Sequence, residues 1–149
     1  RPSDNWLPPD NHQEQPIEAT AHRTSPTNIG MMVLSSLAAW RLGHIGVSEL
    51  TVRMREMLDS LDRLEKWHGH ILNWYDTRTL APLEPRYVST VDSGNLAVSL
   101  VTLKQGCEEI TGLPAFDADR WTGLDDGLAL LADAIKAASL RKGGALRAT

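Results

Sequence analysis

NWYDTRTLAPLEPRYVSTVDSGN, residues 73–95, lies between two segments of helical periodicity and decides how the chain is read. It holds Trp74, Tyr75 and Tyr87, the carboxylates Asp76, Glu84 and Asp92, and the guanidinium groups of Arg78 and Arg86. A loop that merely joins two helices is shorter and plainer than this. Long loops loaded with polar and aromatic groups are where rigid scaffolds carry function. Flat aromatic faces beside planar polar groups suit a sugar, whose apolar C–H face stacks while its hydroxyls meet carboxylates, amides and guanidinium groups. Within the stretch, Ile71–Asp76 and Arg86–Thr90 are expected to pair as a short β-hairpin across Thr77–Pro85.

Outward from the loop the pattern is helical. Residues 1–25 read as an extended arm, since Pro2, Pro8, Pro9 and Pro16 forbid a continuous helix, with Trp6 and Leu7 available for docking. Ser25-Pro26 is a cap followed by proline at the first helical position, and Ile29, Met32, Val33, Leu37 and Trp40 follow at helical spacing up to Gly43. A second helix is expected from Ser48 to about Trp67, with Leu50, Met54, Met57, Leu58, Leu61 and Leu64 as one apolar stripe. A third, from about Ser93 to Glu109, is capped by Asp92 or Ser93. Leu96, Ala97, Val98, Leu100, Val101 and Leu103 leave it almost no polar face, so it is expected to be buried, with Gly94 admitting a neighbouring helix. Asp125 can cap a fourth through about Leu140, carrying Leu128, Leu131, Ile135 and Ala138 on one side. Helices apolar all round thus alternate with amphipathic ones, as concentric helical toroids require. Four helices are too few to close such a ring.

The composition is that of a soluble globular segment, 42% hydrophobic and 23% charged over 149 residues. A net charge of −4 without a basic stripe argues against nucleic acid and anionic membranes as partners. The run from Ile29 to Leu42 falls short of the ~20 apolar residues that span a bilayer. The single Cys107 is expected to be a buried, inert thiol. Arg1 in place of Met and the KGGALRAT end lead us to expect a piece of a longer polypeptide. No GxSxG element, P-loop or Gly-rich dinucleotide fingerprint is present, and no cofactor is expected. His68-Gly69-His70 lacks further ligands at zinc-site spacing, so packing or loop hydrogen bonding is expected there and no metal site.

LPPDN (Leu7–Asn11), AHRTSPTNIG (Ala21–Gly30), the residue 73–95 stretch and the helix after it together resemble the large cyclic β-1,2-glucan synthases. The likeness is to the middle region ahead of their glucoamylase-like part. NWYDT and VSTVDSGN are also similar to segments of endo-β-1,2-glucanases. The resemblance covers roughly residues 5–110; residues 111–149 match less distinctly. It implies a multi-domain parent at the bacterial inner membrane that uses UDP-glucose to build β-1,2-glucan. In it, an (α/α)6 barrel would close the linear glucan into a ring by retaining transglycosylation. On that reading the chain is mainly all-α: an arm (1–25), then a helical piece (26–149) of the barrel on the cytoplasmic side. Its partners would be β-1,2-glucan and the remaining parent domains, with self-association of the isolated piece through uncovered apolar faces. The resemblance places the catalytic carboxylates further along the parent, so no catalytic residue is assigned and the isolated chain is expected to be inactive.

The substrate-binding candidates are Asn73, Trp74, Tyr75, Asp76, Asp92, Asn95 and Arg23. Trp74 or Tyr75 would be the sugar platform and Asp76 would bind a hydroxyl pair. Alternatively the aromatics plug the barrel end and Asp76 braces the loop. Asp92 and Asn95, like Thr24 and Asn28 at the start of the first helix, could touch sugar or serve as caps. Arg23 is expected to pair with Asp76 or Asp92 and order the cavity floor. A retaining reaction needs carboxyl groups about 5–5.5 Å apart, a separation that sequence proximity among Asp76, Glu84 and Asp92 does not establish. The competing function is a non-catalytic helical module whose aromatic loop packs on neighbouring domains.

Overall fold

The computed structural model describes residues 2–113 and 119–145, and these are mainly helical. The helices are α1 (Pro26–Arg41), α2 (Val47–Arg63), α3 (Thr90–Gly112) and α4 (Asp119–Ala145). Six two-residue strands accompany them: β1 (His12–Gln13), β2 (Ala19–Thr20), β3 (Arg23–Thr24), β4 (Lys66–Trp67), β5 (His70–Ile71) and β6 (Tyr75–Asp76). They pair antiparallel as β1 with β2, β3 with β6 and β4 with β5.

α1 starts as the sequence implies. Ser25 is extended, its hydroxyl accepts from Asn28 N at 3.2 Å, and Pro26 takes the first helical position without forfeiting a hydrogen bond. At the other end Gly43, at φ 78°, turns the chain. α2 departs from expectation at both ends. It begins at Val47 behind Gly46, which offers no side-chain cap, so Ser48 lies inside the first turn. It stops at Arg63 and not near Trp67, because Lys66–Trp67 turns back onto His70–Ile71. His68 (φ 46°) and Gly69 (φ 82°) form that two-residue turn, the left-handed geometry that tight hairpins need. His68-Gly69-His70 is therefore turn chemistry.

The expected hairpin is corrected too. Tyr75–Asp76 pairs with the arm, in the register Arg23 opposite Asp76 and Thr24 opposite Tyr75. On its other edge the loop returns at Ala81–Leu83 and not at Arg86–Thr90: Asp76 N donates to Ala81 O and Leu83 N to Trp74 O, both at 2.9 Å. The Asp76 carboxylate folds the loop back early by accepting from Arg78 N (2.8 Å) and Thr79 N (2.9 Å). Leu80, at φ 61°, completes the reversal. Asn73 N still reaches Tyr87 O at 2.9 Å, the one backbone bond to the segment first assigned as partner.

The arm is not loose. Leu7 is buried in the core, and Asn5 Nδ2 donates to the carbonyls of Thr77 and Arg78 at 2.9 Å each. Ser60 Oγ of α2 donates to Asn5 O at 2.6 Å. The buried Asp4 carboxylate accepts from Thr77 Oγ1 at 2.7 Å and lies 2.6 Å from His22 Nδ1. Burial raises the Asp4 pKa, but its bonds to His22, Thr77 and Ser3 outweigh that, and the carboxyl ends below its ordinary value.

The core gathers Ile29, Val33 and Trp40 from α1, Leu50, Met54, Met57 and Leu61 from α2, and Leu96 and Leu103 from α3, with Leu64, Ile71, Leu72 and Tyr75 at the loop end. The α2 stripe is as expected save for Leu58, which is exposed. α3 is not buried all round. Only the side turned to α1 is covered, while Val98 and Val101 stand 66% and 63% exposed. Cys107 on the same helix is exposed, against expectation. α4 is likewise open along Trp121, Leu124, Leu128, Leu131 and Ile135; it meets the rest of the chain where Gly123 lies on the Leu42–Gly43 turn.

α1 and α3 approach closely at Gly30, not at Gly94, beside which a Cβ would meet nothing. A Cβ on Gly30 would sit 2.7 Å from Ser99 Oγ and 3.4 Å from Asn95 O. Gly30→Val should therefore lose about 1–3 kcal/mol in urea unfolding, the cost of overpacking a tight contact. Adding Ser99→Gly should restore part of the loss; no recovery would mean that the crossing is not what limits this position.

Candidate functional site

The helix starts of α1 and α3 lie side by side, and the candidate residues meet there. Ser89 caps α3 by accepting from Asp92 N at 3.2 Å, so neither Asp92 nor Ser93 is the cap. Asp92 stands at the third position of the helix, where a carboxylate often reaches back to its own cap residue. Here it reaches across instead. Thr27 Oγ1 of α1 donates to Asp92 Oδ1, and Asn95 Nδ2, one turn along α3, donates to Thr27 Oγ1 at 3.1 Å.

Asn73 joins this cluster to the loop. Trp74 Nε1 can only donate and the Asp92 carboxylate accepts, which fixes the amide orientation. The Asn73 oxygen then accepts from Trp74 Nε1 at 2.5 Å and from Tyr87 Oη at 2.7 Å, and its nitrogen donates to Asp92 Oδ2 at 3.1 Å. Asn73 is buried and fully engaged, as a buried amide must be.

Trp74 belongs to a second cluster through its ring. The Arg23 guanidinium lies 4.9 Å from the indole centroid, a cation–π contact. The Arg23 side chain pairs with Asp10, a residue not singled out from sequence, and not with Asp76 or Asp92. Nε and Nη2 donate to Asp10 Oδ2 at 3.1 and 2.9 Å. Asn28 Nδ2 donates to Asp10 Oδ1 at 3.2 Å. The Arg23 hydrogen bonds are the largest influence on Asp10 and hold its pKa below the ordinary value against the opposing effect of burial.

The structure thus brings together Arg23, Asn73, Trp74, Asp92 and Asn95, and adds Asp10, Thr27, Asn28 and Tyr87. Trp74 is half-buried; Arg23 and Asn95 are exposed. Tyr75 is apart from them and wholly buried, its Oη donating to Glu65 O at 2.6 Å and accepting from Leu72 N at 2.7 Å. Burial raises the Tyr75 pKa. Asp76 spends its carboxylate on the loop amides of Arg78 and Thr79; burial pushes its pKa up, yet these bonds bring it below its ordinary value. Glu84 is exposed and pairs with Arg86 at 2.9 Å. Among the described residues no group of three or more His, Cys, Asp or Glu is placed to hold a metal ion.

No protein-family model matches the chain. Over 132 residues, 88% of its length, it is 46% identical to the cyclic β-(1,2)-glucan synthase NdvB of Rhizobium meliloti (strain 1021). The chain is a relative of one segment of the cyclic β-1,2-glucan synthases. The matched region spans 5% of that synthase, so the chain corresponds to a small part of the relative it matches. Among the described residues no helix of this synthase-like segment is long and apolar enough to cross a membrane.

The lowered carboxylates predict the acid response of the segment. A group whose folded pKa is depressed contributes stability above its unfolded value, near 3.9 for Asp, and loses it as pH falls through the folded value. The melting temperature of the native chain should therefore exceed that of Asp10→Asn at neutral pH, and the gap should close below pH ~4. A gap that stays constant down to low pH would show that the Asp10 charge does not stabilise the fold.

Proposed function

We propose that the chain is part of the wall of a glucan-binding cavity in a cyclic β-1,2-glucan synthase. Linear β-1,2-glucan would be held there while another part of the parent closes it by retaining transglycosylation. The observation that carries this reading is the meeting of four motifs around Trp74 and its neighbour Asn73. Asp10 comes from LPPDN, Arg23, Thr27 and Asn28 from AHRTSPTNIG, Asn73 from NWYDT, and Asp92 and Asn95 from VDSGN. Trp74 offers a sugar the part of its ring that Arg23 leaves uncovered. Arg23, Asn95 and Asp92 supply hydroxyl partners around it. Tyr75 and Asp76, retained as glucan-site residues, contribute by holding the loop that carries Trp74. The helices belong to an (α/α)6 barrel on the cytoplasmic side of the inner membrane, and UDP-glucose is consumed elsewhere in the parent.

The test is titration of linear β-1,2-glucan into the native chain and its variants. Trp74→Ala should weaken binding about tenfold, the scale of one lost aromatic contact. Asp92→Asn should weaken it as well, since an amide there turns an N–H toward Thr27 or Asn73 and disturbs the side chain that holds Trp74. Unchanged affinity in both would remove the site.

Tyr75 favours a second reading. A tyrosine wholly inside the core, with Asp76 committed to loop amides, is what a non-catalytic module packing on neighbouring domains would show. Glucan binding that fails even in the native chain would decide for it.

The barrel reading also bears on association. Val98 and Val101 on α3, and Leu124, Leu128, Leu131 and Ile135 on α4, form apolar surface that further helices would cover. The isolated chain should self-associate in sedimentation velocity, and Val98→Glu with Leu128→Lys should shift it toward monomer. A native chain that is monomeric throughout would count against uncovered barrel faces.

A further inference from the structure

A second cleft lies beside the Trp74 cluster, between β4 and residues 86–88 of the loaded loop. It has a volume of about 550 Å³, and Trp67 and Tyr87 are among the residues that line it. That is within the ~300–1,000 Å³ of small-molecule sites. Trp67 is 60% exposed and Tyr87 47%, so both rings leave aromatic surface open to a ligand in the cleft.

The display is built. Lys66 Nζ, next to Trp67, donates to Leu61 O at 3.0 Å and Asp62 O at 2.9 Å, anchoring the strand to the end of α2. The His68 ring packs edge-on against the indole at 4.4 Å and 86°, limiting its rotation. Leu72 and Val88 also line the cleft, and Leu72 is buried. Arg86 bridges Glu65 and Glu84 at 2.9 Å each, giving planar donors and acceptors beside the rings. Tyr87 Oη bonds Asn73, the amide that also holds Trp74 and Asp92. One residue therefore ties the two places together.

We propose that this cleft is a second pyranose-binding subsite, in which Trp67 and Tyr87 take the apolar faces of glucose units and Glu65 and Arg86 take their hydroxyls. The inference rests on the glucan reading above and extends it from one contact to a path along the chain surface. The mixed charge of the rim suits a neutral polyhydroxylated ligand better than a phosphate or a peptide of one sign. No bond is made or broken in it.

Calorimetry of the 149-residue chain with sophorose and with longer linear β-1,2-glucans tests it. The native chain should gain affinity with glucan length. Trp67→Ala should lose about tenfold for the longer glucans, flattening that dependence, whereas Trp67→Phe should keep most of it. The phenylalanine variant separates stacking from a structural role, since it keeps an aromatic face at the same place. Native affinity in Trp67→Ala at every length would overturn the proposal, and if Trp74→Ala still weakened binding the first site would survive alone. Loss in Trp67→Ala with none in Trp74→Ala would keep the cleft and remove the first site. No binding by the native chain would end both.

Discussion

Asp92 is the carboxylate on which the arrangement depends. Because Ser89 caps α3 by accepting from Asp92 N, the Asp92 side chain is released to cross to Thr27 and Asn73. One anion so placed lies in the first turn of α3 and against the start of α1, where two helix dipoles favour it. It also sets the loop, since Asn73 can orient only one way between a carboxylate and an indole N–H. The position of Trp74 follows from that amide. The close crossing at Gly30 and Ser99 lets the two helix starts come within reach of a single side chain.

The arm performs the corresponding task from the other side. Two residues of β3 pair with two of β6, which is little on its own, and the remainder is carried by side chains. Buried Asp4 and Thr77 form a polar knot with half-buried His22, and Asn5 takes two loop carbonyls. Buried polar groups that find partners define one geometry, because every alternative leaves one of them unsatisfied. The segment thus positions Arg23 over Trp74 through contacts more than fifty residues apart in sequence. Propensity in the arm could not have supplied this.

That division explains what could be read from the sequence. The Ser25-Pro26 start and the α2 stripe follow from local rules, and both are found. The hairpin partner was misplaced because β6 has a tertiary partner in the arm, and because Asp76 closes the loop through its own amides, an Asx-type turn hidden among ordinary residues. α2 ends at Arg63 and not near Trp67 because His68-Gly69 makes a left-handed turn that folds Lys66–Trp67 back onto His70–Ile71, and a positive φ at a histidine leaves little trace in the sequence. α3 reads as a buried helix from its composition, yet burial is a property of what surrounds a helix. Asp10 left no signal beyond its place in LPPDN: nothing in a single sequence links it to Arg23, whose charge Asp76 or Asp92 could equally have matched.

Two kinds of exposed apolar surface remain on this segment, and they differ chemically. On α3 and α4 it is mostly aliphatic and laid out at helical spacing, with Val98, Val101, Leu124, Leu128 and Ile135 exposed along with Trp121. Such a surface is matched by another helix, whose side chains interdigitate with it. At the loop end it is aromatic, narrow and bordered by Glu65, Arg86 and the Asn73 cluster. A helix laid there would strand those polar groups, while a ligand that alternates C–H faces with hydroxyls would satisfy both. The helical apolar surface and the aromatic cleft thus lie on different elements, α3 and α4 for the one, β4 and residues 86–88 for the other.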